Sequence, residues 1–528
     1  MGVSWHNFFF GALEPGGSVS IDKPPVDLWL QVITTRVIGF SLVALHLPEA
    51  LGGVAACGLL FGALRRPFGT GAALVAAFAL AVLPVSVLTA RSDTMDSVLA
   101  ALEVGALWCS WRALESGRMR WSILSAAVMG VAFNVKLAEM LVALPAMALL
   151  WLWAAPPRRR VRTVLATAAA FVAVALSWTA LASLTPAGQR PFPIGSRNGS
   201  IWHVTLVYNG LDRLSSHTAA GTIAGGAGPL RLFESGSREY LTLIGVVLLA
   251  ALLAAAGALA VVFLQGRPRP SVDLRGPPAR LAVGIALWFV LGAVTFSAME
   301  RLQARYLDAF APALCAVLGI SAATLWRRGA PPGDRSRATR GPRAAGGLTA
   351  LGGAGVARVV LACIGLGLLG VSLAKDADLI RRHRTDSLQN DRSTPALSRY
   401  LRVHRGGARY YIVGANVNDI LGLVTSDGLP VLVLNSIDGS LVRTRTLQAI
   451  VADGRARFFF VAPHPCHGGR HCPHNQIWAY EHSVPVPGQP ALRRFSLATA
   501  GPARASRRGA ARAPRARARL SRAPARAG

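Results

Sequence analysis

Acids and cations fall close together at four places in this 528-residue chain. Asp22 and Lys23 open an Asp-Lys-Pro-Pro run that leads through Asp27 into an amphipathic stretch. Asp93 and Asp96 stand three residues apart, as do Lys136 and Glu139, and Glu300, Arg301, Arg305 and Tyr306 crowd one short segment. Carboxylates interleaved with cations suit chemistry at a phosphate. Lys23, Lys136 or Arg305 can neutralise charge developing on a phosphate leaving group. A carboxylate among Asp22, Asp93 and Asp96 can deprotonate an acceptor hydroxyl, orient a substrate or hold a divalent cation. Each residue also has a plain structural reading. The Asp-Lys-Pro-Pro run can be a proline-set turn, and Asp93 and Asp96 can be first-turn helix acids. Lys136 can snorkel to headgroups, and Arg305-Tyr306 can anchor an interface.

The elements that position these residues are membrane spans. The chain is 52% hydrophobic with mean hydropathy +0.42, yet it carries 56 Lys+Arg against 25 Asp+Glu, a formal charge of +31. A nucleic-acid binder explains the charge but not the hydropathy; a membrane protein with arginine-rich loops explains both. Apolar runs near bilayer length predict about ten spans, at 45–64, 70–89, 97–111, 122–135, 138–154, 163–183, 240–264, 281–298, 306–326 and 348–374. Alternate loops between them hold nineteen arginines, among them Arg65, Arg112, Arg118, Arg120, Arg158 to Arg160, Arg162, Arg280 and Arg327. The positive-inside rule makes those loops cytoplasmic. The four acid-and-cation segments then share the outer face, and Glu103, seven residues after Asp96 on the same helix face, carries one acid deeper.

Residues 1–375 are thus expected to form a polytopic α-helical membrane domain, and 376–396 a linker. A small extracytoplasmic α/β domain is expected over 397–500, with strands at 408–414, 431–434 and 457–461 and helices near 417–426 and 442–453. The last stretch, 501–528, is rich in Arg, Ala and Pro without acids and predicts a disordered tail. Cys466 and Cys472, among four nearby histidines, fit no standard zinc spacing, so a disulfide is the first reading and a metal site the second.

On these residues the chain resembles glycosyltransferase family 39, of the GT-C superfamily that includes protein O-mannosyltransferases and the lipid A aminoarabinose transferase. The resemblance is carried by SWHNFFFGALEPGGSVSIDKPPVDLWLQ (Ser4–Gln31), LHLPEALGGV (Leu45–Val54), TARSDTMDSVLAAL (Thr89–Leu102), GVAFNVKLAEMLVALPAMALLWL (Gly130–Leu152), YNGLDRL (Tyr208–Leu214) and RYLDAFAPALCAVLGI (Arg305–Ile320). It covers roughly 1–375. It implies an inverting enzyme of the bacterial plasma membrane that takes a sugar from a polyprenyl-phosphate donor to an extracytoplasmic acceptor (protein, lipid or envelope glycan). It further implies that Lys23 contacts the donor phosphate and that Asp22 holds the adjacent acidic motif position. Asp96 matches the acid opening the family's fourth span, Lys136 the family lysine, and Tyr306 the aromatic beside the lipid-phosphate pocket. Family members begin with a further span and an outer-loop acidic motif, and Met1 falls after both. A truncated, inactive homologue is therefore one alternative. A transporter or lipid flippase is the other, for which paired half-helices or repeats would be expected.

Overall fold

The computed structural model describes residues 1–196, 198–211, 227–233, 241–264, 276–299, 302–328, 367, 370–378, 380–381, 394–416, 419–420, 423, 430–436, 439–461 and 472–496. A short helix α1 (Trp5–Phe10) and strand β1 (Val19–Ser20) precede α2 (Val26–Ile38). The bundle follows: α3 (Leu42–Phe68), α4 (Thr70–Ala81), α5 (Pro84–Thr89), α6 (Asp96–Ser116), α7 (Met119–Val135), α8 (Leu137–Met140), α9 (Leu144–Ala154) and α10 (Arg160–Ser183). After strand β2 (Phe192–Pro193) and a π-helical segment (His203–Leu211), the bundle closes with α11 (Val246–Leu264), α12 (Pro277–Ala298), a 3-10 segment (Ala304–Phe310) and α13 (Ala311–Arg328).

Among the described residues, five stretches are long and apolar enough to cross a membrane: Leu42–Phe68, Pro157–Ser183, Leu243–Ala260, Pro277–Ala298 and Ala304–Trp326. Helices α4, α7 and α9 are apolar but shorter. Helix α6 has the length, 21 residues, but carries Asp96, Glu103, Arg112 and Glu115. This is a multi-pass membrane protein. Two expected spans are broken, and proline accounts for both. The run 70–89 stops at Ala81 because Pro84 opens α5 and the residue before it, Leu83, is extended (φ −75°, ψ 119°). The run 138–154 divides into α8 and α9, with Pro145 in the first turn of α9. Most of the expected tenth span, 348–374, lies outside the described residues, as does the tail at 501–528.

Close helix approach depends on small residues. A Cβ on Gly52 of α3 would stand 2.9 Å from the Val98 amide nitrogen, so α3 lies directly against the first turn of α6. Gly130 of α7 similarly admits Val174 of α10, and the Asn134 side chain donates to the Val174 and Ala175 carbonyls, joining the two helices by polar bonds. Gly292 of α12 lets Phe310 of the 3-10 segment in, and Trp288 Nε1 donates to the Ala309 carbonyl at 3.1 Å.

Beyond the bundle, α14 (Thr394–His404), β3 (Val413–Gly414), β4 (Leu432–Val433), β5 (Asn435–Ser436), β6 (Gly439–Ser440), α15 (Thr444–Ala452), β7 (Phe458–Phe460), α16 (His474–Glu481), β8 (Ser483–Val486) and β9 (Gln489–Phe495) form a second layer. Its sheet has the order β4-β3-β7-β9-β8, the first three strands parallel and the last two antiparallel. Both faces are apolar: Tyr411, Ile412 and Leu401 lie in one core and Val413, Leu447 and Phe459 in the other. The observed strands lie inside the expected ones and are shorter, α14 begins within the expected linker, and the β8–β9 hairpin is additional. Val19 of β1 packs into the Leu401–Tyr411 core, and β1 pairs in parallel with β2. The loop carrying Asp22 and Lys23 is thereby tied to the sheet. Cys472 is disulfide-bonded; Cys466, His464, His467 and His471 lie outside the described residues.

Gly52→Val should lower stability by about 1–3 kcal/mol through overpacking. Thermal unfolding in detergent checks this, with Gly58→Val, whose Cβ would meet open space, expected to change little.

Candidate active site

The first residue of α6 is Asp96, and its backbone entry is unusual: Met95 has φ +68° and no side chain of its own caps the helix. The cap comes from another helix. Glu49 of α3, fully buried, accepts from the Ser97 amide at 2.9 Å and the Val98 amide at 3.3 Å through Oε2. A carboxylate on uncapped first-turn amides satisfies orphan donors and complements the helix dipole. The start of α6 is thus fixed by α3.

Asp96 uses that fixed position to hold Lys136. Its Oδ1 accepts from Lys136 Nζ, and both side chains are almost entirely shielded from solvent. Lys136 ends α7 as its C-cap, with Glu139 Oε1 at 3.8 Å and the Tyr306 ring centroid at 5.0 Å. The guanidinium of Arg305 lies 5.7 Å from the same ring centroid, and its Nε is buried without a hydrogen-bond partner among the described residues. The cations are held by aromatic and carboxylate partners from α6, α8 and the 3-10 segment.

Asp308 closes the arrangement. Its two carboxyl oxygens accept from Ser86 (2.6 Å) and Thr89 (2.8 Å) on α5. Thr89 also accepts from the Ser97 hydroxyl at 3.1 Å. The chain of contacts therefore runs Asp96, Lys136, Tyr306, then along the 3-10 segment to Asp308, Thr89 and Ser97, and returns to Asp96. A closed set of this kind leaves no member free to move alone.

Of the seven residues expected from sequence, the structure brings four together: Asp96, Lys136, Arg305 and Tyr306. Asp22 and Lys23 form their own pair, 3.1 Å apart and half-buried. They are tied down by Asn209, whose side-chain amide donates to the Asp22 carbonyl at 2.5 Å. Asp93 is exposed, three residues ahead of Asp96. Glu300 and Arg301 lie outside the described residues. Among the described residues no group of three or more His, Cys, Asp or Glu has a metal-binding arrangement.

Asp27 was given no role by the sequence reading, and other buried ionisable residues escaped it altogether. Asp27, fully buried, takes Gln31 Nε2 at 2.7 Å and faces Glu49; burial pushes its carboxyl above the usual carboxylate range. Glu49, Asp308 and the fully buried Arg231, which donates to the Met299 carbonyl, are among the others. The signal was available: a lone ionisable residue within an apolar run is costly there and points to function. Glu49, inside LHLPEALGGV, and Asp308, inside RYLDAFAP, are such residues.

The helical bundle gathers carboxylates and cations at one end of α6 and α7, and comparisons with known proteins show what it is similar to. Residues 22–182 match the family described as dolichyl-phosphate-mannose-protein mannosyltransferase. The chain is 32% identical over 220 residues to two Bacillus subtilis (strain 168) proteins, "Putative mannosyltransferase YycA" and "Putative mannosyltransferase YkcB". That match takes in 41% of this chain and about a third of either relative, 32% and 31%. Among solved structures, ArnT from Cupriavidus metallidurans bound to undecaprenyl phosphate superposes with TM-score 0.54 at 16% identity, over 90% of this chain and 87% of that one. Archaeal oligosaccharyltransferase AglB from Archaeoglobus fulgidus, in complex with an inhibitory peptide and a dolichol-phosphate, gives TM-score 0.53 at 11% identity, over 86% and 65%. Residues 22–182 are thus similar to that mannosyltransferase family, and the bundle shares its fold with these solved structures.

Removing one member of a buried ion pair strands the other, at about 3–5 kcal/mol. Lys136→Met and Asp96→Asn should each lower the unfolding temperature sharply, and the double variant should lose clearly less than the two losses added. A thermal-unfolding double-mutant cycle measures this; additive losses would show that the pair is not coupled.

Proposed function

We propose that the chain transfers a sugar from a polyprenyl-phosphate donor to an extracytoplasmic acceptor at the Asp96–Lys136 end of the bundle. One observation carries the reading. Lys136, Arg305 and Tyr306 are clustered at one end of helices whose fold matches a structure that holds undecaprenyl phosphate. In such a transfer the bond between the sugar's anomeric carbon and the phosphate oxygen breaks. The new bond forms to the acceptor oxygen, and the phosphate leaves with an added negative charge. Cations fixed before the reaction stabilise that charge without reorganising. Arg305, with a buried donor lacking a partner, and Lys23, at the half-buried edge of its pair, are suited to contact the phosphate. Lys136, bound to Asp96, supplies positive field and holds the Tyr306 ring in place.

The three candidate acids divide by environment. Asp22 is engaged with Lys23 and Asp96 with Lys136, so each has a cation holding it in place. Asp93 is exposed and in no ion pair among the described residues, which leaves it accessible to an incoming acceptor hydroxyl. We assign Asp93 the general-base role, and Asp22 and Asp96 the orientation of cations and sugar. The acid-and-cation groups sit at one end of the bundle instead of along a path through it, which disfavours a transporter or flippase. The positive-inside rule places that end, and the sheet tied to it through Val19, outside a bacterial plasma membrane.

The test is donor turnover, which does not require knowing the acceptor in advance. The purified full chain in vesicles is supplied with undecaprenyl-phosphate-linked sugars, mannose first, and cell-envelope extract as acceptor; released undecaprenyl phosphate is measured. Arg305→Ala and Lys23→Ala should each cut turnover by about 10²–10³-fold, the usual cost of one preorganised charge donor. Asp93→Asn should cut turnover by about 10²–10⁴-fold, the range of general-base catalysis. Turnover unchanged in all three variants would refute the site.

A further inference from the structure

The arginines at the other end of the bundle do more than orient it. Helix α7 is 17 residues long, so its start lies about 25 Å from Lys136 at 1.5 Å per residue. There, Gly117–Arg120, Pro156, Arg159, Arg162 and Thr163 line a concave cavity of about 420 Å³. Four guanidinium groups, from Arg118, Arg120, Arg159 and Arg162, therefore border one space, and no acid lines it. The nearest acid in sequence, Glu115, is already shared by Arg112 at 2.9 Å and Arg66 at 3.6 Å. Among the described residues no ion pair engages Arg118, Arg159 or Arg162.

A second feature makes this an amphiphile-shaped site. Arg159 and Arg162 also line a groove of about 800 Å³ that continues along α10 past Val161, Leu165, Ala166 and Ala169. Val161 is 73% exposed and Leu165 64%, and they lie four residues apart on one helix face. Of the five membrane-crossing stretches, the one containing α10 is the least covered by protein, at 22% buried. An apolar groove open to the bilayer therefore begins where the arginine cavity ends. Mutual repulsion of four guanidinium groups makes a bound anion favourable there, and the groove supplies a place for an attached chain.

We propose that this cavity binds an anionic glycerophospholipid, its phosphate among Arg118, Arg120, Arg159 and Arg162 and one acyl chain along the Val161–Leu165–Ala169 face. The proposal does not depend on the glycosyltransferase reading. It assigns to four of the inner-loop arginines a ligand in addition to their topological role, and it distinguishes them from Arg66, which is paired with Glu115.

Native mass spectrometry of the full chain in detergent tests it, with phosphatidylglycerol and phosphatidylcholine of equal chain length as probes. Phosphatidylglycerol should bind in preference. Arg159→Gln with Arg162→Gln should weaken it by roughly 30-fold, taking about 1 kcal/mol per arginine. Arg65→Gln with Arg66→Gln should leave it unchanged, and Leu165→Asn should weaken the lipid while leaving the arginines in place. Equal losses from the two arginine pairs would overturn the proposal, as would equal binding of the two lipids. If inorganic phosphate alone occupies the site and displaces phosphatidylglycerol completely, a soluble anion is the ligand and the lipid assignment falls.

Discussion

The ion pair of Asp96 and Lys136 is the interaction on which the rest of the site depends. Two opposite charges removed from water cost several kcal/mol each, repaid only when geometry is good and remaining valences are satisfied. The surroundings fix the geometry, while Asp96 Oδ2 is buried without a hydrogen-bond partner among the described residues. Glu49 fixes the first turn of α6, Tyr306 covers Lys136, and Asp308 ties the segment carrying Tyr306 back to α5.

The backbone is shaped to bring those groups together. Pro84 ends one apolar run and starts α5, which places Ser86 and Thr89 beside Asp308. Gly52 lets α3 lie against α6, so that Glu49 reaches the Ser97 and Val98 amides. Gly292 admits Phe310, and Trp288 fixes the Ala309 carbonyl, so the 3-10 segment is seated from its far side too. Breaks in helices, close glycine contacts and buried acids that look like defects in a bilayer-spanning chain are what position the site. At the opposite end of α6 and α7 the same bundle shows the reverse character: exposed arginines, no partner acids in the cavity, and an apolar groove facing lipid.

Much of this was legible in the sequence, and the gaps have physical reasons. Asp96 and Lys136 could be singled out by type and by their positions at the ends of apolar runs. Their pairing could not, because forty residues separate them and only the packing of α6 on α7 brings them together. Glu49 and Asp308 were passed over because apolar neighbours absorbed them into spans, although an acid in such a run is the costlier and more informative reading. Helical periodicity located α3, α6, α7, α10 and α12 well but could not see that the run 138–154 bends at 141–143. In the C-terminal sheet, the β8–β9 hairpin went unseen; Pro485 stands in β8, the sheet's edge strand, and Gly488 at φ +73° makes the turn between β8 and β9. The resemblance supplied roles for Lys23 and Tyr306 that residue type alone left open. The structure adds that the Asp22–Lys23 loop is anchored by Asn209 and by the β1–β2 pairing next to it.

Exchanging the two charges tests the central constraint most directly. In a variant carrying both Asp96→Lys and Lys136→Asp the pair is retained in reverse, while Glu49's amide contacts and the Tyr306 ring stay where they are. Thermal unfolding of that variant, beside the two single exchanges, is the decisive measurement. If the ion pair is what holds the site together, the reversed pair regains most of the stability that either single exchange loses. If the double exchange unfolds as early as the single ones, the pair is not the constraint on which the arrangement rests.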